Sequence, residues 1–179
     1  HEEAGDRVFA LNDGAEQLRS ARGHAAFIGR YHHWNTWSQL IDSVRTGEPA
    51  FRAIYGASPW EWRQEHPEES ALFDDFMTSS TRGVDQAIVA GYDFGRFSHV
   101  VDVGGGRGAL LETMLAAYPQ LTATLFDQEH VVADAPEIER CRAVGGSFFD
   151  EVPRGGDAYV LKTVIHDWDD ESAVRILRT

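Results

Sequence analysis

The chain has 179 residues, 42% of them hydrophobic, a net charge of −13 and a single cysteine, Cys141. So acidic a surface repels phosphate backbones and anionic headgroups, so neither nucleic acid nor a membrane is an expected partner. One cysteine can neither close an internal disulfide nor build a zinc site. No apolar run reaches the roughly 20 residues that cross a bilayer, and no signal peptide opens the chain, which predicts a cytoplasmic protein of one or two packed domains.

In chain order, residues 7–11 (RVFAL) alternate apolar and polar and predict a short strand, followed by a turn and short helix in NDGAEQLRS. Across 23–46, Phe27, Ile28, Tyr31, Trp34, Trp37, Leu40, Ile41 and Val44 recur every three or four residues, the mark of one helix face in one or two helices. TGEPA breaks that run. Ser58 and Pro59 form an N-cap and first helical position for a helix to about His66. A longer helix over 68–90 turns Leu72, Phe73, Phe76, Met77, Val84, Ile88 and Val89 inward.

The period then changes. HVVDVGG, LTATLFD, CRAVGG and DAYVLKTVI read as strands, and GALLETMLAAYP, EHVVADAPEIER and DWDDESAVRILRT supply helices between and after them. Strands alternating with helices predict a parallel, helix-covered α/β sheet from about residue 93. The chain begins without Met and stops inside a helical pattern, so the interior of a longer protein is expected.

The segment VDVGGGRG (101–108) joins the first of these strands to a helix. Glycines let backbone N–H groups approach a ligand without a Cβ, and the helix start adds partial positive charge. Ligands in such sheets sit at the carboxyl ends of the strands. Arg107-Gly108-Ala109 lacks the Lys-Ser/Thr of a P-loop, which excludes nucleoside triphosphates. Gly104-x-Gly106-x-x-Ala109 satisfies a relaxed dinucleotide fingerprint, and Asp127, ending the next strand, stands where a ribose-binding acid belongs. Asp102 separates the remaining candidates. A carboxylate there repels a pyrophosphate, whereas S-adenosylmethionine brings an α-ammonium and a sulfonium, both cationic. A lone acid between valines of a buried strand needs such a reason.

HVVDVGGGRGALLETMLAAYPQLTATLFDQEHVV, AVGGSFFDEVP and AYVLKTVIHDWDDE, in that order, resemble the S-adenosylmethionine-dependent O-methyltransferases of plant and bacterial secondary metabolism. The resemblance covers nearly the whole chain. It implies a Rossmann-like catalytic domain over 93–179, incomplete at its C-terminal end, and a helical connecting region over 23–92 that shares the acceptor pocket and dimer contacts. Residues 1–22 would be the end of a winged-helix dimerisation domain. Carried over by position, it implies that Gly104, Gly105 and Gly106 meet the amino-acid part of the cofactor, with Asp102 as its partner. Asp127 takes the ribose, Gln128 lies by the adenine, and Ser147 and Phe148 flank the adenine. Ser147 replaces the acid the family often has, which weakens that contact. Lys162 lines the site near the end of its strand, and Arg82 is a candidate for the cofactor carboxylate, or a solvated helix charge.

Methyl transfer to oxygen requires alignment and a deprotonated nucleophile. A phenol has a pKa near 10, so a base tuned toward neutrality helps, and histidine is suited to it. His166 follows a strand at the ligand edge. In the family's His-Asp-Trp motif, intact here as His166-Asp167-Trp168, this histidine is the proton acceptor. Asp167 and Asp169 are alternative helix caps, and Trp168 is expected to pack. The acids that orient the histidine in the family would lie beyond Thr179. His32 and His33, with Trp34 and Trp37, are expected in packing or an interface. No metal-ligand set stands out, so a metal-independent reaction is expected. The implied activity is O-methylation of a phenolic hydroxyl on a small aromatic or polyketide-like acceptor, by a homodimer. Decarboxylase- or hydroxylase-like chemistry on the same fold, and an NAD-dependent oxidoreductase, remain the alternatives.

Overall fold

The computed structural model describes residues 2–3, 9–20 and 22–179. The chain divides into two compact units, His1–Ser80 and Thr81–Thr179. Among the described residues no helix is long and apolar enough to cross a membrane.

The first unit opens on β1 (Glu2–Glu3) paired antiparallel with β2 (Phe9–Ala10). Of the strand expected over 7–11, residues 7 and 8 lie outside the described residues. Short helices follow: α1 (Asp13–Ser20), α2 (Arg22–Ile28), α3 (Tyr31–Ser38), α4 (Leu40–Thr46), α5 (Ala50–Tyr55) and α6 (Pro59–Gln64). The apolar period over 23–46 is thus carried by three helices, not one or two. Arg30 is extended (φ −70°, ψ 142°) and Gln39 leaves helical geometry (φ −100°, ψ 15°), which breaks the run twice. The period predicted which residues share a face but not that the face is open: Tyr31, Trp34, Trp37, Ile41 and Val44 are all exposed. The α6 cap forms as expected. Glu61 N–H donates to Ser58 Oγ at 3.2 Å, and Ser58 N–H donates to the Glu61 carboxylate at 2.8 Å, a reciprocal capping box.

Aromatic rings make the core of this unit. Phe27 stacks on Phe76 at 4.6 Å, and Phe51 meets Tyr55 and Trp62. The Arg63 guanidinium lies 3.8 Å over the Phe73 ring. His32 and His33 are half-buried among these rings, and burial lowers both imidazole pKa values. Helix α7 (Pro67–Gly91) begins in this unit and ends in the second.

In the second unit the strands are β3 (His99–Val103), β4 (Thr122–Asp127), β5 (Cys141–Gly145) and β6 (Ala158–Val160), all parallel, in the order β5-β4-β3-β6. Helix α8 (Ala109–Ala117) follows β3, α9 (Glu129–Ala133) follows β4, and α10 (Asp170–Arg178) closes the chain. Period-two alternation sends Val100 and Asp102 to one face of β3 and Val101 and Val103 to the other. On the first face Val100 packs with Leu110, Leu111, Met114 and Leu115 of α8 and with Val89 of α7. On the other, Val101 and Val103 pack with Phe126, Val144, Phe148 and Leu161. Val84, expected to face inward, is 53% exposed; the buried stripe of that turn is Asp85, Ile88 and Val89.

The strand expected over DAYVLKTVI ends early, at Val160. Lys162, Thr163 and Val164 form a turn in which Thr163 takes φ 56°, and Ile165–Asp167 is one turn of 3₁₀ helix. Strand β4 extends one way from β3 and β6 the other, so the strand order reverses beside the carboxyl end of β3. That is where such sheets open a crevice for ligands.

Candidate active site

The turn after β3 has three glycines in left-handed backbone, Gly104 (φ 70°), Gly106 (φ 60°) and Gly108 (φ 85°), a region closed to most side chains. Space forbids side chains as well. A Cβ on Gly104 would lie 2.6 Å from Val164 Cγ2, and one on Gly105 would lie 2.7 Å from Asp102 Oδ2. The turn is tied to the neighbouring strand: Gly104 N–H donates to the Phe126 carbonyl at 2.8 Å, and Gly106 N–H to Asp127 Oδ2 at 2.7 Å. Gly108 closes it as the residue preceding α8.

Asp102 forms the floor. It is 2% exposed. Burial pushes its carboxyl up to about 7; the Lys162 ammonium pulls it back, and Asp127 and Asp85 push it further up. Asp127 ends β4 with both oxygens on backbone donors, Gly106 N–H and Gln128 N–H (2.7 Å). Burial raises its pKa, against the pull of these two bonds. Gln128 precedes α9.

Phe148 lies beside the turn, 3.9 Å from where a Gly104 Cβ would be. Ser147 accepts the Phe149 N–H at 3.2 Å, so its hydroxyl also shapes its own turn. Lys162 lies in the turn beyond β6, not in the strand, and its ammonium is paired with Asp85 of α7. His166 lies two residues past Val164, in the 3₁₀ turn, with its side chain 66% exposed and Nε2 3.3 Å from Asp167 Oδ1. Asp169, not Asp167, caps α10, accepting the Ser172 N–H at 2.7 Å. Trp168 packs edge-on against Phe149 (4.7 Å) and Phe148 (5.8 Å). The side chain of Arg82 lies outside the described residues.

Sequence reasoning missed Asp85. It is 1% exposed, and its signal was readable: an acid on the same helix stripe as Ile88 and Val89, where a charge needs a partner.

A glycine turn at the strand-order reversal, a buried acid below it and an acid at the end of β4 are set in a Rossmann-like parallel sheet. Residues 37–179 match the O-methyltransferase domain family, and the chain belongs to it. It is 37% identical to a phenazine O-methyltransferase of Lysobacter antibioticus over 96% of this chain and 53% of that protein. It is 41% identical to a mitomycin biosynthesis 6-O-methyltransferase of Streptomyces lavendulae over 86% of this chain and 46% of that one. Among solved structures it resembles an O-methyltransferase from neocarzinostatin biosynthesis, in complex with S-adenosyl-L-homocysteine and 1,4-dihydroxy-2-naphthoic acid. The TM-score is 0.82 at 37% identity, covering 98% of this chain and 57% of that one. The chain spans about half the length of the curated relatives it matches.

Proposed function

We propose that the protein is an S-adenosylmethionine-dependent O-methyltransferase that methylates a phenolic hydroxyl of a small aromatic natural product, with His166 as proton acceptor. One observation carries the cofactor reading. Asp102 is a buried carboxylate inside a valine strand, below a turn in which side chains would clash, and burial pushes its carboxyl up to about 7. A buried acid of this kind calls for a cationic partner, and an anionic diphosphate in the same cradle would be repelled. The residues present therefore fit the group. When bound, S-adenosylmethionine supplies a methyl group activated by its sulfonium.

The residues of the chain do the rest. Asp102 receives the cationic end, and the backbone N–H groups of the Gly104–Gly106 turn line the approach. Asp127, held between two backbone donors, presents its carboxylate to the ribose, and Gln128, Ser147 and Phe148 bound the adenine side. His166 takes the hydroxyl proton, and Asp167, 3.3 Å from Nε2, offsets the charge of the imidazolium. The acceptor class rests on the relatives named above, which act on phenazine and mitomycin intermediates or were crystallised with a dihydroxynaphthoic acid. The reading includes a cytoplasmic homodimer whose N-terminal residues end a winged-helix segment. The open apolar face of Tyr31, Trp34, Trp37, Ile41 and Val44 supports a covered surface of that kind.

The test uses the full-length enzyme. Calorimetric titration with S-adenosyl-L-homocysteine should show binding, and methyl-labelled donor should pass its label to members of a panel of phenolic polyketides. Tight NADH binding without S-adenosyl-L-homocysteine binding would overturn the cofactor reading. Donor binding with no label transferred to any phenol would overturn the reaction.

A further inference from the structure

Asp85 has no place in the mechanism above, yet it is among the most deeply buried charges of the second unit. Its carboxylate accepts a hydrogen bond from the Lys162 ammonium, 77 residues away in sequence, and its other oxygen is 3.5 Å from the Thr81 hydroxyl. Lys162 in turn is placed by the sheet. Asp102 pairs with Val160 across β3 and β6, and Lys162 lies two residues further on, in the turn that leaves β6. The clash that a Gly104 side chain would have with Val164 confirms how closely this turn approaches the glycines. Asp102 feels Lys162 as its main favourable charge. The buried carboxylate beside the glycine turn thus feels an ammonium that Asp85 holds in place.

A zwitterionic amino-acid group offers the complementary pair of charges. An ammonium has three N–H donors, and Asp85 takes one, leaving others for a ligand. Lysine is a flexible stem carrying a point charge, and anchoring it beforehand removes ordering that binding would otherwise have to supply. We propose that Asp85 is a positioning residue for the amino-acid end of the methyl donor: by gripping Lys162 it fixes a cation opposite the Asp102 carboxylate, so that the cradle selects a zwitterion. This rests on the cofactor reading above.

The test compares two probes on the full-length enzyme. S-adenosyl-L-homocysteine carries the amino-acid group, and 5′-methylthioadenosine has the same adenosine and thioether without it. Asp85→Asn should weaken the first by about tenfold, the scale of one charged hydrogen bond, and leave the second within about twofold. Asp85→Asn/Lys162→Gln, which removes both members of the pair, should lose at least the same factor for S-adenosyl-L-homocysteine and again leave 5′-methylthioadenosine within about twofold. Unchanged S-adenosyl-L-homocysteine affinity in Asp85→Asn would overturn the proposal, as would an equal loss for both probes, which would make the pair a fold contact alone. If the unaltered enzyme binds neither probe, the cofactor reading itself falls and this proposal with it.

Discussion

Replacing Asp102 with Asn should stabilise the ligand-free protein at alkaline pH while weakening donor binding. Burial holds the Asp102 carboxyl at about 7, against 3.8 for an ordinary aspartate. A rise of about three pH units corresponds to about 4 kcal/mol. Because the native state holds this proton more tightly than the unfolded chain, the contribution favours folding at low pH. It begins to be lost above the ordinary carboxylate range and is fully lost once the pH passes about 7. Between pH 5 and pH 8 the loss is about 3 kcal/mol, and Asn, which does not ionise, escapes it. The variant's margin over the unaltered protein should therefore be about 3 kcal/mol larger at pH 8 than at pH 5, a difference of several degrees in Tm. Its affinity for S-adenosyl-L-homocysteine should fall by about tenfold or more. Thermal melts of the full-length, ligand-free enzyme at the two pH values, beside calorimetry, measure both effects. An Asn variant that melts lower at pH 8, or keeps the pH slope of the unaltered protein, would refute a strained carboxylate at this position.

Other expectations follow from the same geometry. His166→Ala should lower turnover by about a hundredfold or more and leave S-adenosyl-L-homocysteine affinity within about twofold, since its ring is exposed and the proposal gives it the acceptor's proton and no contact with the donor; an unchanged rate removes it as the base. Gly108→Ala should destabilise by about 1–3 kcal/mol, because φ is 85° and its Cβ would meet Ile138 Cδ1 at 2.6 Å; an unchanged Tm would contradict that backbone. Arg140→Ala should lower Tm by several degrees. The guanidinium donates to the carbonyls of Leu115, Tyr118, Pro119 and Leu121, at and just beyond the end of α8. A Tm within one degree of the unaltered protein would show that water satisfies those carbonyls instead.

Local patterns in the sequence determined much of this protein. Alternation and helical period depend on neighbouring residues, so the parallel α/β half, α8 with its buried Leu110, Leu111 and Met114, and the Ser58–Glu61 capping box were all readable. The glycine turn was readable because left-handed backbone and close approach both demand glycine, and Asp102 because an acid inside a valine strand needs a cation. Tertiary structure alone decided the remainder. Periodicity marks a shared helix face but cannot say whether that face is covered, and the Tyr31–Val44 stripe is open. Nor does it count helices: a single extended residue at Arg30 ends α2 without a sequence signal as strong as proline. Strand β6 stops at Val160, and the turn that follows packs Val164 against Gly104 and pairs Lys162 with Asp85, demands made by packing and not by β-propensity. The Asp85–Lys162 pair joins residues from two distant elements, and only the folded chain shows which buried charge answers which.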